Sequence, residues 1–94
     1  MSVGVLIMTL QLFGCRSLKE KRGRLKPLLS RLRKEFNLSV AEIDDLDIWQ
    51  RAVVACAAVS NDANQTRRVL QKTVNWVEKN WRDLQLVDDH IELI

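Results

Sequence analysis

The topology turns on one run of residues, Trp49-Gln50-Arg51-Ala52-Val53-Val54-Ala55-Cys56-Ala57-Ala58-Val59-Ser60. It is apolar and carries no helix caps, and its alanine content keeps a buried helix in competition with a buried strand. The upstream neighbour arbitrates. Leu38 to Ile43 alternates, Leu38 and Val40 against Ser39 and Ala41, and runs into Asp44-Asp45-Leu46-Asp47, which has the chemistry of a turn. Two extended runs joined so closely make an antiparallel hairpin the economical reading, with Trp49 opening its second strand.

A helical pattern lies on each side of this hairpin. Ser17-Leu18-Lys19-Glu20 is a capping box, in which the serine oxygen accepts from the backbone N–H three residues on and the glutamate reaches back to the serine amide. The helix it starts is expected to span roughly Leu18 to Phe36, with Leu18, Leu25, Leu29, Leu32 and Phe36 as its core stripe. Pro27 projects almost opposite that stripe. It removes one backbone hydrogen bond and presses on the carbonyl of Gly23, so a bend over the sheet is expected, a break being the alternative. Beyond the hairpin, Asn61-Asp62 offers an N-cap. Val69, Leu70, Thr73, Val74, Val77 and Trp81 then form the inward stripe of a second helix ending near Trp81.

Both ends of the chain read as strands. Val3 to Phe13 closes on a turn at Gly14, and its two faces (Val3, Val5, Ile7 and Leu6, Met8, Leu10, Leu12) are both apolar, which predicts a central strand covered on both sides. Leu84 to Ile94 is the last strand, with Leu84 and Leu86 on one side and Val87, Ile91 and Leu93 on the other. The order is βαββαβ. Right-handed crossovers put both helices on one face of a four-stranded antiparallel sheet, so the fold class is α+β, ferredoxin-like, as a single domain over residues 1–94. The other sheet face then lacks a cover. Self-association through that face or an edge strand is the expectation, against the alternative that a few small aliphatics are simply exposed.

With 47% hydrophobic and 29% charged residues and no low-complexity tract, the composition is that of a globular rather than a disordered chain. Cys15 and Cys56 form no CxxC pair and His90 is the single histidine, which argues against a zinc site or a disulfide framework; no cofactor is expected. The apolar start, Met1 to Met8, lacks a basic flank and a small-residue cleavage site and is too short to span a bilayer. The expectation is a cytoplasmic protein with no membrane association.

The net charge is only +3, but nine of the fifteen Lys and Arg residues lie between Arg16 and Lys34, against Glu20 alone. On the helical wheel Lys19, Arg22, Lys26 and Arg33 project from one flank, and Lys21, Arg24 and Arg31 from the other. These seven are the candidate nucleic-acid-binding residues, suited to the phosphate backbone of RNA or to another acidic partner. The competing reading is a solvated face, helped by ion pairs to the acidic hairpin turn. Acids gather instead at Glu42, Asp44, Asp45 and Asp47 and at Asp83, Asp88, Asp89 and Glu92.

Base-specific readout finds less support. The third strand offers Val53, Val54, Ala55, Cys56 and Ala57 where stacking rings would be needed, and Trp49, Trp76 and Trp81 suit core or interface roles better. A catalytic reading rests on Asp88, His90 and Glu92, which share one side of the last strand; a solvent-facing polar edge has the same alternation. Cys15 stands before a helix N-terminus near Arg16, where a thiol is acidified, but no base lies nearby and a passive turn cysteine is the better reading. Neither GxxxxGK[ST] nor GxGxxG occurs, so nucleotide chemistry has no motif to stand on.

Three blocks in order, Ser17-Leu18-Lys19-Glu20-Lys21-Arg22, then Phe36-Asn37-Leu38-Ser39-Val40-Ala41-Glu42, then Trp49-Gln50-Arg51-Ala52, closely resemble the YlxP-like family of small bacterial proteins, domain of unknown function 503. The likeness spans essentially the whole chain. It implies a ferredoxin-like domain and a gene placed, in many bacteria, near translation and ribosome-maturation factors. It implies no established activity and no catalytic residues, and no family role passes to Cys15. The leading expectation is a non-enzymatic module bound to RNA or the ribosome through its basic first helix. The alternative is a homodimeric scaffold or regulatory domain that binds protein or a small ligand.

Overall fold

A computed structural model describes residues 1–94. Its elements are β1 (Ser2–Gln11), α1 (Leu18–Phe36), β2 (Ser39–Asp44), β3 (Arg51–Ser60), α2 (Ala63–Asn80) and β4 (Gln85–Leu93). The sheet runs β2-β3-β1-β4 with every pair antiparallel, which is the ferredoxin-like arrangement expected from the sequence. The run at residues 51–60 is a strand. It is central, paired with β1 from Ser2↔Ser60 to Gln11↔Arg51 and with β2 from Ser39↔Ala57 onward. Strand β3 starts two residues after Trp49, which stays in the turn and is 44% exposed.

Period-two alternation divides the two central strands. Leu6, Met8 and Leu10 of β1 and Ala52, Val54, Cys56 and Ala58 of β3 are buried against the helices. Their alternates Val3, Val5, Ile7, Val53, Ala55 and Ala57 are only half-buried, so the helix-free face of β1 is not covered within the chain as the reading of a doubly covered strand would require. Gly4 marks the closest approach of α2 to the sheet. A Cβ there would lie 2.7 Å from Thr66 Cγ2 and 2.9 Å from Leu70 Cδ1.

The facing expected for the last strand is corrected by a bulge. Register along β1 slips between Thr9 and Leu10, leaving Val87 unpaired and about half exposed. The extra residue restores phase, so that Leu86, Ile91 and Leu93 lie opposite Leu10, Leu6 and Gly4, all on the helix side. Asp88, His90 and Glu92 consequently lie opposite Thr9, Ile7 and Val5, on the helix-free face.

Helix α1 begins at the expected cap, with Ser17 in extended conformation and its Oγ accepting from the Glu20 N–H at 3.0 Å; the reciprocal half of the expected box does not form, the Glu20 carboxylate lying 3.4 Å from Arg24 instead. It ends at Asn37 in the left-handed region, φ 51°, a conformation asparagine tolerates at helix ends. The helix continues unbroken through Pro27. Its buried stripe is Lys21, Leu25, Leu28 and Leu32, rotated from the expected one; Leu18, Leu29 and Phe36 lie at its half-buried border. Counting Lys21 as polar had displaced the stripe by half a helix face. Helix α2 is capped by Asp62, which accepts from the Asn64 N–H, and buries Thr66, Leu70, Thr73, Val74 and Val77. Trp81 is its half-buried C-cap.

Candidate nucleic-acid interface

The seven candidate cations of α1 have unequal fates. Lys21 is 1% exposed. Its Nζ donates to the carbonyl oxygens of Asp45 at 2.7 Å and Leu46 at 3.4 Å, and lies 2.7 Å from Glu42 Oε2. That approach to the carboxylate is an ion pair lying off the line of a hydrogen bond. The expectation that Lys21 offers its charge to a ligand is therefore overturned. An ammonium group enclosed by two turn carbonyls and a carboxylate is a fastener between α1 and the β2–β3 turn, satisfied internally.

Arg24 is a second fastener. Its guanidinium donates to the Phe13 carbonyl at 2.9 Å, the Asp83 carbonyl at 2.6 Å and the Asp83 carboxylate at 3.1 Å, tying α1 to both the β1–α1 and α2–β4 loops. Glu20, one turn earlier, adds a longer contact at 3.4 Å. Arg31 pairs with Glu35 and lies 5.4 Å above the Trp76 ring. Phe36 meets the same indole edge-on at 5.9 Å, and Trp81 stacks obliquely at 6.1 Å, so Trp76 and Trp81 belong to the junction of the helices. The whole of one predicted flank, Lys21, Arg24 and Arg31, is thus spent on holding the fold.

The other flank is different. Lys19, Arg22 and Lys26 are exposed and make no hydrogen bond or ion pair within the chain. Arg33 is exposed too, with one donor fixed to the Val40 carbonyl at 2.7 Å and the rest of its fork outward. From Lys19 to Arg33 this row follows the helix for about 21 Å at 1.5 Å per residue. Shallow hollows lie along it, one between Arg22, Lys26 and the Leu25 and Leu29 side chains, another beside Gly23, Pro27 and Ser30.

The structure adds cations that the sequence reading left aside. α2 lies on the same side of the sheet and presents Arg67, Arg68, Lys72 and Lys79 to solvent. The two helices together hold twelve Lys and Arg against three acids, two of which, Glu20 and Glu35, already face arginines of α1. The strands hold Glu42, Asp44, Asp88, Asp89 and Glu92 against Arg51 alone. Layer by layer, the helical side of the molecule is basic and the sheet is acidic at its edges. A charge count along the sequence detects α1 and misses α2, because only the topology sets the helices side by side.

The remaining reactive groups are placed as follows. Cys56 is fully buried, and burial pushes its thiol up to about 12, leaving it protonated and unreactive at neutral pH. Cys15 is buried with its Sγ 3.5 Å from the Ser17 carbonyl oxygen. Asp88, His90 and Glu92 share the exposed β4 edge, and no three His, Cys, Asp or Glu side chains converge closely enough to share a metal ion. No helix is long and apolar enough to cross a membrane.

Fold and surface together define a two-layer ferredoxin-like domain whose helical layer is its basic side. The chain belongs to the family described as Protein of unknown function (DUF503), whose model matches residues 3–91, in agreement with the three sequence blocks. It is 40% identical over 67 residues to Uncharacterized protein YlxP of Bacillus subtilis (strain 168), an alignment covering 71% of this chain and 73% of that protein.

Proposed function

We propose that the protein is a cytoplasmic, non-enzymatic binding module that grips the phosphate backbone of structured RNA, ribosomal RNA being the first candidate, through the outer face of α1. The observation that carries this reading is the row Lys19, Arg22 and Lys26, continued by Arg33. These cations are exposed and pair with no acid, whereas the other three candidate cations of the helix, Lys21, Arg24 and Arg31, are engaged; Lys34, in the last turn, is exposed and free as well. Unneutralised cations in a row repel one another, and Lys19, Arg22 and Lys26 make no bond within the fold, whereas a polyanion laid along them releases its counterions. The neighbouring α2 cations extend the same field. Recognition is of backbone and shape, since the row contains no ring on which a base could stack. The family resemblance, with its genes near translation and ribosome-maturation factors, favours RNA over other polyanions.

Binding of a fluorescent ribosomal RNA hairpin, followed by anisotropy across a potassium chloride series, tests the proposal. About three phosphate contacts give a slope of log affinity on log salt of about −2 to −3. The combined Lys19→Glu, Arg22→Glu and Lys26→Glu variant should lose binding while keeping its circular dichroism. Affinity that ignores salt, or that survives the triple reversal, sinks the reading.

A further inference from the structure

The helix-free face of the sheet is apolar where a solvated face of an antiparallel sheet is ordinarily polar. Across the two central strands it presents Val3, Val5 and Ile7 from β1 beside Val53, Ala55 and Ala57 from β3, with Thr9, Gln11 and the charged Arg51 only at its end. We infer that this face is the seat of a second copy of the chain, stacked sheet on sheet with both helical layers outermost. The inference is independent of the RNA reading, because it rests on the opposite side of the molecule.

The area is adequate. The ten-residue strands β1 and β3 are about 33 Å long, β4 about 30 Å and β2 about 20 Å, so at about 4.8 Å per strand the face measures about 550 Å² per copy. Two copies bury about 1,100 Å², just above the roughly 1,000 Å² that a specific interface has to clear. Other routes to self-association are blocked at the edges. β2 has six residues, a register slip near Ile43 and one edge carbonyl, Val40, taken by Arg33. β4 carries the Val87 bulge and the acids Asp88, Asp89 and Glu92, and like charges repel two such edges. The face holds one cation, Arg51, already paired with Asp45, and one ring, His90 at its edge, too few to grip a nucleic acid.

Shape also selects the symmetry axis. β1 stands as a ridge of Val and Ile, while Ala41, Ala55, Ala57 and Ser39 leave a shallow depression of about 270 Å³ next to Val5. A two-fold axis parallel to the strands, between β1 and β3, sets the ridge of each copy over the depression of the other. The same axis sets His90 and Glu92 over Ala41 and Ser39 of the other copy's β2, while Asp88 comes level with Asp44, which shares the face of Val53. An axis across the strands would stack ridge on ridge. With the parallel axis, position 7 of one copy lies over position 55 of the other, since Ile7 and Ala55 are register partners.

Sedimentation velocity between about 1 and 100 µM is the test. The wild-type chain should sediment at twice its chain mass. Ile7→Lys and Ala55→Glu should each weaken the dimer at least about 100-fold, and an equimolar mixture of the two should recover it by charge complementation. Val59→Lys, at a site 70% exposed, reports on the face without touching the core. Val87→Lys, on the β4 edge, should leave the dimer intact. A monomeric wild-type chain, or a dimer indifferent to the face variants, would overturn the inference; a mixture that stays monomeric would overturn the axis.

Discussion

Lys21 shows how a single side chain can mislead a charge count. In sequence it is one of nine cations in a basic run, and in the fold it is the most enclosed charged group on α1. Its methylene stem fills the core stripe between Leu25 and Leu28 while its ammonium answers two turn carbonyls and Glu42. Removing it leaves a carboxylate and two carbonyls facing apolar surface, which costs far more than the pair itself contributes. Lys21→Met should lower unfolding free energy by about 3 kcal/mol in urea denaturation, and Lys19→Met by no more than about 0.5 kcal/mol. Equal effects would mean that the buried contact does not organise the turn.

Among the elements, α1 combines two tasks on opposite faces. Leu25, Leu28 and Leu32 bury, Lys21 and Arg24 fasten loops, and the outward row stays free. The helix carries a defect on its exposed side. Pro27 has no N–H to give to the Gly23 carbonyl, and Gly23 itself meets nothing within 4 Å of a built Cβ. Pro27→Ala supplies the missing donor at a solvent-facing position, and should raise stability by about 1–3 kcal/mol with no change in core packing. A higher urea midpoint at unchanged slope is the expected result; a lower midpoint would show that the proline fixes a curvature that the sheet requires. The bulge at Val87 is the corresponding device in β4, converting an alternation that points Leu86 away from Ile91 and Leu93 into one that turns all three to the helix side, where Leu86 and Ile91 pack half-buried against the core.

Across the whole molecule, the two-layer architecture separates chemistry by side. The basic row and the apolar face lie on opposite surfaces, so variants of one should be silent on the other. Ile7→Lys should keep the salt slope of RNA binding on a short hairpin, while an RNA long enough to reach both outer helical layers should bind it more weakly than the wild-type dimer. Loss of short-hairpin binding by Ile7→Lys would show that the two surfaces are coupled.

Hydrophobic period, capping chemistry and turn residues are local properties, and they were enough to determine the element order, the βαββαβ topology, the Ser17 cap and the position of the basic helix. Three matters depended on which residues from distant parts of the chain meet. The core stripe of α1 shifted because Glu42 and the 45–46 carbonyls make Lys21 a burying residue. The facing of β4 changed because a bulge is decided by pairing with β1 and leaves no mark in the alternation. The free cations were separated from the fastening ones only by partners such as Asp83, 59 residues from Arg24, since charge along a sequence says nothing of what it is folded against.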